Sequence, residues 1–507
     1  MSPGPDSGGN ARARRYLSLA LWAAVLLAPS VSIAAGLLIA GAAVMLAPAA
    51  WRAARRRRGR GSLVPAGGPV VVGADPAGRT VALRERQLAA HTLTVGASGA
   101  GKSTTMLTIL DAQIRAGRPV IAIDMKGSPA FAAQLQRSAA AAGRGLRVWT
   151  PDGPGHWNPL AHGNATSLKD KLISTERFTE PHYQRAAERY VQIALGVLHA
   201  AAPDRPAQLH EVVAVMEPRR LAGMLRGVPG PLAERVQDYL SGLTGDQVSA
   251  VRGLGTRLAL LSESCAGPYL QTSAGPPGDA IDLRAGLDGG DVILFSLNSS
   301  IYGKLAAQLG ALAIQDLTSA SGRRLDAAAG PGGAPSLATV AIDEFSALDG
   351  DNLLALLARG RESGVSVLMA TQEMADLERA GRGFRDQVLG IVGVKIIHRQ
   401  DVPASAETIA QMAGTERVWE RTEQLRSPFL SPGASRGTRH LADRYVVHPN
   451  VIKTLPVGHA VILTKLPTAE VRRVSVRPPP ASAPVRHDRA APPRGPGRDY
   501  PAPGVTR

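Results

Sequence analysis

The chain has 507 residues, a formal net charge of +17 and a single cysteine. A chain of this length should form two or more domains, and one cysteine excludes a disulfide framework and a cysteine-based metal site. The charge is concentrated at the ends, because residues 1–60 carry nine arginines and one acid, and residues 471–507 carry eight arginines and two acids. The intervening body, 61–470, has a net charge of only +3. The basic composition therefore does not by itself establish nucleic-acid binding.

An uncharged stretch runs from residue 16 to residue 50 near the N-terminus. As one helix it would be about 52 Å long, well beyond a bilayer core of about 30 Å. Pro29 divides it, and arginines flank it on both sides, which is typical of a transmembrane hairpin with cytoplasmic ends. We therefore predict a cytoplasmic N-terminus at 1–15, a transmembrane hairpin at 16–50 and a basic linker at 51–69. One kinked span and a re-entrant helix are alternatives, whereas a cleaved signal peptide and a buried soluble helix pair fit less well.

A glycine-rich loop follows a short apolar strand at 93–95 and precedes a helical pattern. The loop matches G-x-x-x-x-G-K-[ST], and its strand–loop–helix context is that of a phosphate-binding P-loop. Lys102 would reach the β- and γ-phosphates of a nucleoside triphosphate, and Ser103 would bind Mg²⁺. The predicted nucleotide-binding residues are Gly96, Ala97, Ser98, Gly99, Ala100, Gly101, Lys102, Ser103 and Thr104.

Strand and helix patterns alternate on both sides of a long, purely helical region. Near-continuous apolar strands in a βαβα order predict an α/β fold with a mostly parallel sheet that is covered on both faces. We predict the nucleotide-binding domain in two parts, 70–164 and 276–472, which flank an all-α insertion at 165–275. Residues 473–507 are rich in proline and arginine and are predicted to be a disordered tail.

Two acids end the apolar strand at 337–342. Asp343 is expected to complete the Mg²⁺ shell that Ser103 begins, and Glu344 to activate the attacking water. Gln372 ends the next strand and would sense the γ-phosphate. Asp124 and Lys126 follow another strand, so we expect them at the same carboxyl edge of the sheet, where ligands bind in α/β folds.

Arginines near this machinery are candidates for contact with a neighbouring subunit. Arg361 lies before the strand at 365–370 and could act as an arginine finger on the nucleotide of another copy, with Arg359 as the rival and a plain surface role as the alternative. His398 and Arg399 follow a strand at 392–397 and are expected to be a solvated pair.

These motifs resemble those of the TraD/TraG-like coupling proteins of type IV secretion, within the FtsK/HerA branch of RecA-like P-loop motors. Met125 stands where the family usually has proline. The resemblance covers about residues 15–475, and it rests on Gly96–Ser103, Asp124-Met-Lys-Gly127, Trp157-Asn-Pro-Leu160, Asp343-Glu-Phe345, Ala370-Thr-Gln372 and Leu455-Pro-Val-Gly458.

The resemblance implies a RecA-like, membrane-anchored hexameric ATPase of the bacterial inner membrane that uses ATP and Mg²⁺. Its bulk would lie in the cytoplasm, and it would pass single-stranded DNA with a relaxase, or a protein substrate, to a type IV secretion channel and its ATPases. A double-stranded DNA translocase of the FtsK or HerA kind is the alternative. A membrane receptor that binds ATP as a switch is a third hypothesis, which the intact Asp343–Glu344 pair disfavours.

Overall fold

The computed structural model describes residues 68–480, except for residues 177, 179, 273–279, 329–335, 349, 380, 382 and 424–436. The predicted hairpin at 16–50 lies outside the described residues and stays a prediction. Among the helices that are described, none combines the length and apolar character that a membrane crossing requires.

Fifteen strands are present in the described part of the chain, and most of them are short and apolar. In chain order they are β1 (Val70–Ala74), β2 (Thr80–Leu83), β3 (Thr92–Val95), β4 (Val120–Asp124), β5 (Leu146–Trp149), β6 (His156–Trp157), β7 (Ala280–Ile281), β8 (Val292–Ser296), β9 (Ala338–Asp343), β10 (Val365–Thr371), β11 (Val394–Ile397), β12 (Thr415–Glu423), β13 (Gly437–Tyr445), β14 (His459–Thr464) and β15 (Glu470–Val476).

The α-helices of the described residues connect these strands and form the insertion. They are α1 (Glu85–Leu88), α2 (Lys102–Arg115), α3 (Pro129–Ala141), α4 (Ala165–Ile173), α5 (Pro181–Ala201), α6 (Leu209–Val215), α7 (Pro218–Met224), α8 (Gly230–Ser241), α9 (Gly245–Ser262), α10 (Leu283–Asp288), α11 (Ser299–Tyr302), α12 (Lys304–Ala328), α13 (Gly350–Gly360), α14 (Met374–Arg379), α15 (Phe384–Ile391), α16 (Pro403–Ala413) and α17 (Pro449–Lys453).

Eleven of the strands form one sheet in the order β2-β1-β15-β14-β11-β3-β10-β9-β4-β8-β5. The seven strands from β11 to β5 pair in parallel, and the remaining four pair antiparallel at one side. The predicted α/β class with a mostly parallel sheet is thus confirmed. The P-loop strand β3 lies between β11 and β10, so the carboxyl ends of β3, β10, β9 and β4 meet at one edge.

Most residues of the parallel strands are buried because both faces of the sheet are covered. Alternate residues of β4 show this division: Ile121 and Ile123 belong to the core on one side, and Val120 and Ala122 to the core on the other. Helices α2 and α3 cover the second side, where Met106, Ile109 and Phe131 pack. This burial on two faces is what a parallel sheet with helical crossovers requires.

Between residues 165 and 262 the described chain forms only helices and one 3-10 turn, α4 to α9. Their core is built around Tyr190 and Leu195 of α5, which pack with Val212 of α6 and Leu258 of α9. The segment Trp157–Leu160 joins these helices to the sheet. Within it, Trp157 Nε1 donates to the Asp316 carboxylate at 3.0 Å, and Lys171 Nζ binds the same carboxylate at 2.8 Å.

The end of the domain differs from our prediction. Residues 473–476, which the composition assigns to the disordered tail, form the second half of β15 and pair with β14 and β1. The segment alternates, because Val474 and Val476 are buried while Arg473 and Ser475 are exposed. The two arginines of this strand obscured its period of two. The antiparallel pair β12–β13 was also not predicted.

Candidate functional site

The P-loop connects the end of β3 to the first turn of α2, as its motif predicts. Gly99 and Gly101 adopt positive φ angles of 72° and 114°, which residues with a side chain rarely adopt. Ser98 and Gly99 at the tip of the loop are exposed, whereas Ala97 and Ala100 are buried. The loop is therefore open to solvent at the point where the fourteen-residue helix α2 begins. The N-terminus of a helix favours the binding of phosphate.

Neighbouring strands hold the loop through its backbone. The Gly96 N–H donates to Thr371 O of β10 at 3.3 Å, and the Ala97 N–H donates to Arg399 O, just after β11, at 2.8 Å. On the other side, the Gly458 N–H donates to Ala100 O at 3.0 Å. The Leu-Pro-Val-Gly segment that closes the resemblance therefore supports the P-loop directly, which its motif alone did not indicate.

Lys102 lies inside the loop and is only 5% exposed. Its ammonium donates to Gly96 O and, at 3.2 Å, to Ala97 O. Burial, together with the charge of Lys126, lowers the pKa of Lys102. Two backbone carbonyls thus hold the ammonium in a site where a phosphate oxygen would be a stronger partner.

Ser103 and Asp343 meet as predicted, because Ser103 Oγ donates to Asp343 Oδ2 at 3.2 Å. Asp343 is 2% exposed, and burial raises the pKa of its carboxyl group although Lys126 opposes this. Its other oxygen, Oδ1, accepts no hydrogen bond from the described residues. Lys126 Nζ lies 3.9 Å from Oδ1, too far for a hydrogen bond, so the buried oxygen is only partly compensated, and a divalent cation at this point would satisfy it. The pair therefore fits Mg²⁺, which usually takes few protein ligands and completes its shell with phosphates and water.

Asp124 lies beside Asp343, since the two are paired in register across β4 and β9. Its carboxylate accepts the backbone N–H groups of Lys126 at 2.9 Å and Ser128 at 2.6 Å. Burial raises the pKa of Asp124. Asp124 therefore shapes the turn that carries Lys126, while Asp343 keeps the oxygen that is available for a cation.

Glu344 and Gln372 also come together, as the sequence predicts for a water-activating acid and a sensor. Gln372 Nε2 donates to Glu344 Oε2 at 3.1 Å, and Lys126 Nζ binds the same oxygen at 2.9 Å. Glu344 has a positive φ of 59°, which is a strained conformation for this residue type. Burial by itself would lower the pKa of Lys126, but the negative charges of Asp343 and Glu344 have the larger combined effect and raise it. Sequence reasoning placed Lys126 at this edge but missed its contact with Glu344.

Arg361 and Arg359 are not part of this cluster. Both are exposed: Arg359 lies in the last turn of α13, and Arg361 lies between α13 and β10, at the edge of the sheet where β10 begins. The seven residues of β10 separate them from Gln372 by roughly 20 Å at about 3.3 Å per residue. The charge of Arg361 instead contributes, after burial, to the lowered pKa of His91, which precedes the P-loop strand. Neither arginine therefore reaches the nucleotide site of its own chain.

His398 corrects our prediction of a solvated pair, because it is fully buried behind the P-loop. Its Nδ1 lies 2.9 Å from His459 O and must donate, so its Nε2 accepts from Thr105 Oγ1 at 2.9 Å. Burial lowers the pKa of His398 to about 4, which keeps the imidazole neutral. A Cβ atom on Gly96 would lie 2.5 Å from His398 Cβ, so this glycine lets the ring support the loop. Arg399 is half-buried, with its Nε 3.1 Å from Asp401 Oδ1.

We expect the His398→Ala substitution to weaken ATP binding by about tenfold, because removal of a buried hydrogen-bond partner costs about 1–3 kcal/mol and leaves Thr105 unpaired. The KM for ATP should rise more than kcat falls. Steady-state ATPase kinetics, with a double-mutant cycle to Thr105→Val, measure both effects. His440→Ala, on the exposed face of β13, is the matched control. Additive effects of the two substitutions at Thr105 and His398 would contradict the coupling.

Comparisons with known proteins agree with this geometry. Residues 338–457 match the family model TraG-D_C, which is described as the TraM recognition site of TraD and TraG. This segment contains Asp343, Glu344, Gln372 and His398. The predicted resemblance to the TraD/TraG coupling proteins is thereby confirmed. No curated protein sequence matches the chain.

Solved structures of coupling proteins and of VirB4 have the same fold. The bacterial conjugative coupling protein TrwBdeltaN70, in an unbound form, matches with a TM-score of 0.56 and 15% identity over 80% of this chain and 88% of that chain. The plasmid coupling protein TrwB in complex with ADP and Mg²⁺ matches with a TM-score of 0.55 and 16% identity over 80% and 89%. VirB4 of Thermoanaerobacter pseudethanolicus matches with a TM-score of 0.53 and 14% identity over 82% and 98%.

Proposed function

We propose that this chain is an ATP-driven coupling protein of the TraD and TraG type, which brings a substrate to a type IV secretion channel during conjugation. The observation that carries the proposal is the cluster at the carboxyl edge of the sheet. There Ser103 is hydrogen-bonded to Asp343, and Gln372 to Glu344. Lys126 forms ion pairs with both acids, and the charges of these groups act on the pKa of the P-loop Lys102. A receptor that only binds ATP would not need Glu344 in this arrangement.

The cofactors are ATP and Mg²⁺, which agrees with the ADP and Mg²⁺ bound in the TrwB structure. The backbone of Gly96–Thr104 binds the phosphates, and Lys102 leaves its carbonyl partners for the β- and γ-phosphates. Ser103 and Asp343 would hold the metal, which would supply positive charge to offset that of the phosphates. Glu344 orients the attacking water and accepts its proton, and Gln372, which donates to Glu344, would also contact the γ-phosphate.

Assembly of several copies would supply each nucleotide site with an arginine that its own chain does not provide. Arg361 lies at the opposite edge of the sheet from its own P-loop, so it serves as an arginine finger only on the nucleotide of a neighbouring copy. A homo-hexamer with nucleotides between subunits brings the two edges together. Hexamer formation and the role of Arg361 are part of the proposal, with Arg359 as the rival residue.

Partners and location follow from the same family. The predicted hairpin at 16–50 anchors the hexamer in the bacterial inner membrane, and the described residues form its cytoplasmic part. The matched segment 338–457 would recognise a TraM-like protein bound to the DNA, and channel components and their ATPases complete the partners. The transported substrate is single-stranded DNA with its relaxase.

The test is ATP hydrolysis by the full-length protein in detergent micelles, with single-stranded or double-stranded DNA of equal nucleotide concentration. We expect single-stranded DNA to stimulate the rate several-fold more than duplex. Salt should weaken the stimulation, because backbone phosphate contacts release counterions. Stronger stimulation by duplex would favour the FtsK/HerA-like translocase, and indifference to both would exclude DNA as the direct substrate.

A further inference from the structure

A buried histidine, His91, stands at the start of the P-loop strand and lies outside the nucleotide site. It is 1% exposed, and the four residues of β3 separate it from Gly96 and the phosphate-binding loop. Its φ of 61° is in the left-handed region, which residues with a side chain rarely adopt. Backbone strain of this kind persists only where the surrounding contacts fix it, and it is concentrated at functional sites. The contacts of His91 therefore indicate what this residue holds in place.

Both ring nitrogens of His91 are hydrogen-bonded to backbone groups on either side of Arg361. The Val367 N–H of β10 donates to His91 Nδ1 at 3.1 Å. A neutral imidazole has one acceptor and one donor nitrogen, so Nε2 carries the hydrogen and donates to Leu357 O of α13 at 2.9 Å. Burial, together with the charge of Arg361, lowers the pKa of His91 to about 4, which keeps the ring neutral at physiological pH. The ring thus joins the end of α13 to the first half of β10.

The turn that carries Arg361 is packed directly against this ring. Leu357 is among the last four residues of α13, whose carbonyl groups have no partner within the helix, so His91 caps the helix that leads into the turn. A Cβ atom on Gly360 would lie 3.1 Å from His91 Cε1 and 2.8 Å from Val365 O. Because no space remains between the ring and the backbone of the turn, a displacement of His91 displaces the turn as well.

The far side of the turn is fixed by α12. Arg324 is 3% exposed, and its Nε donates to Ser363 O at 3.1 Å. Ser363 is also buried, and its Oγ donates to Gly360 O at 3.0 Å. The side chain of Arg361, in contrast, is exposed. The backbone of the turn is therefore held between α12 and His91, while its arginine faces solvent.

We propose that His91 is a positioning residue for the arginine finger, which connects the P-loop strand of each subunit to the turn that carries Arg361. The inference rests on the proposed function, since it presumes that Arg361 acts on the nucleotide of a neighbouring copy. Strand β3 spans about 13 Å at about 3.3 Å per residue, and it is buried and paired on both sides. A shift of the P-loop when a nucleotide binds is therefore carried along β3 to His91, and from His91 to the finger that serves the next site.

Two substitutions at this position each keep one of the two contacts. In His91→Asn, the side chain tolerates the left-handed backbone and its Oδ1 accepts the Val367 N–H, but it is too short to reach Leu357 O. In His91→Gln, the longer amide reaches Leu357 O and donates to it. If the contact to α13 positions the finger, the glutamine variant keeps more activity than the asparagine variant.

Steady-state ATPase kinetics of the full-length protein in detergent micelles measure this difference. His91→Asn should lower kcat by about 10–100-fold, because misplacement of a catalytic group by about 1 Å costs about 10²-fold. The KM for ATP should change by less than about twofold, since the nucleotide site of the same chain is intact. His91→Gln should retain at least about half of the wild-type kcat. His162→Asn, a half-buried histidine away from this turn, is the matched control and should keep both constants.

Mixed hexamers show whether His91 acts on the finger or on its own P-loop. A His91→Asn subunit keeps Glu344, and a Glu344→Gln subunit keeps a correctly placed finger, so ATPase activity should recover in part when the two proteins are combined. His91→Asn combined with Arg361→Ala should not recover, because neither protein then supplies a working finger.

An equal loss in the asparagine and glutamine variants, a wild-type kcat in His91→Asn, or a rise in KM instead of the fall in kcat would overturn the role of His91. The same holds if Arg361→Ala recovers with Glu344→Gln but His91→Asn does not. If neither variant recovers with Glu344→Gln, the finger in trans fails, and the inference fails with it.

Discussion

Replacement of Glu344 by glutamine is expected to lower the rate of ATP hydrolysis by about 10²–10⁴-fold, while ATP affinity stays within about twofold of the wild type. Glutamine has the same shape and still accepts the hydrogen bond from Gln372, but it cannot take a proton from water. Lys102, Ser103 and Asp343 remain in place, so the phosphates and the metal keep their partners.

Single-turnover hydrolysis and equilibrium binding of a fluorescent ATP analogue separate these two quantities. Glu234→Gln, an exposed acid on α8, is the matched control and should hydrolyse ATP at the wild-type rate. Transfer of a plasmid by cells that carry the Glu344→Gln variant should cease. Transfer that persists without hydrolysis would refute ATP-driven coupling and favour a receptor that uses ATP only as a switch.

Loss of the Arg361 side chain should lower hydrolysis by about 10³-fold, again with little change in ATP affinity. Arg361 is exposed and lies roughly 20 Å from the Gln372 end of β10, so any effect on catalysis must come from a neighbouring copy. Arg359→Ala is the matched control, because Arg359 is also exposed, lies two residues earlier and is the rival finger.

Mixing of two inactive variants tests this placement in trans. An Arg361→Ala subunit keeps Glu344, and a Glu344→Gln subunit keeps Arg361, so some interfaces in a mixed hexamer contain both residues. ATPase activity should therefore recover in part when the two proteins are combined. If the mixture stays inactive, or if Arg359→Ala rather than Arg361→Ala loses activity, Arg361 is not the finger.

The local motifs of the site could be predicted from the sequence because their residues are contiguous or end a strand. Gly96–Thr104 is one loop and one helix turn, and its glycines are needed by the backbone of that loop itself. Asp343, Glu344 and Gln372 follow apolar strands, and strands of a parallel sheet present their carboxyl ends at one edge. The sequence therefore predicts that the side chains of these three residues lie close together.

Other parts of the molecule could not be predicted because they depend on which strands become neighbours. The local sequence suggests that His398 is a surface residue. The structure buries its ring next to Gly96, because β11 pairs with β3. The local sequence indicates only that Lys126 lies in a turn. The pairing of β4 with β9 brings its ammonium group to Glu344. β15 was missed because its arginines face solvent and hide its alternating valines.

The sequence by itself determined that the chain has a P-loop and a pair of acids at the end of an apolar strand, since short-range backbone geometry and apolar strand patterns specify these features. Only the tertiary structure decided what supports and surrounds them: the buried His398, the Lys126–Glu344 contact and the Gly458 N–H on the P-loop. These contacts join residues that are tens to hundreds of positions apart. They arise from sheet order and packing, which no local pattern encodes.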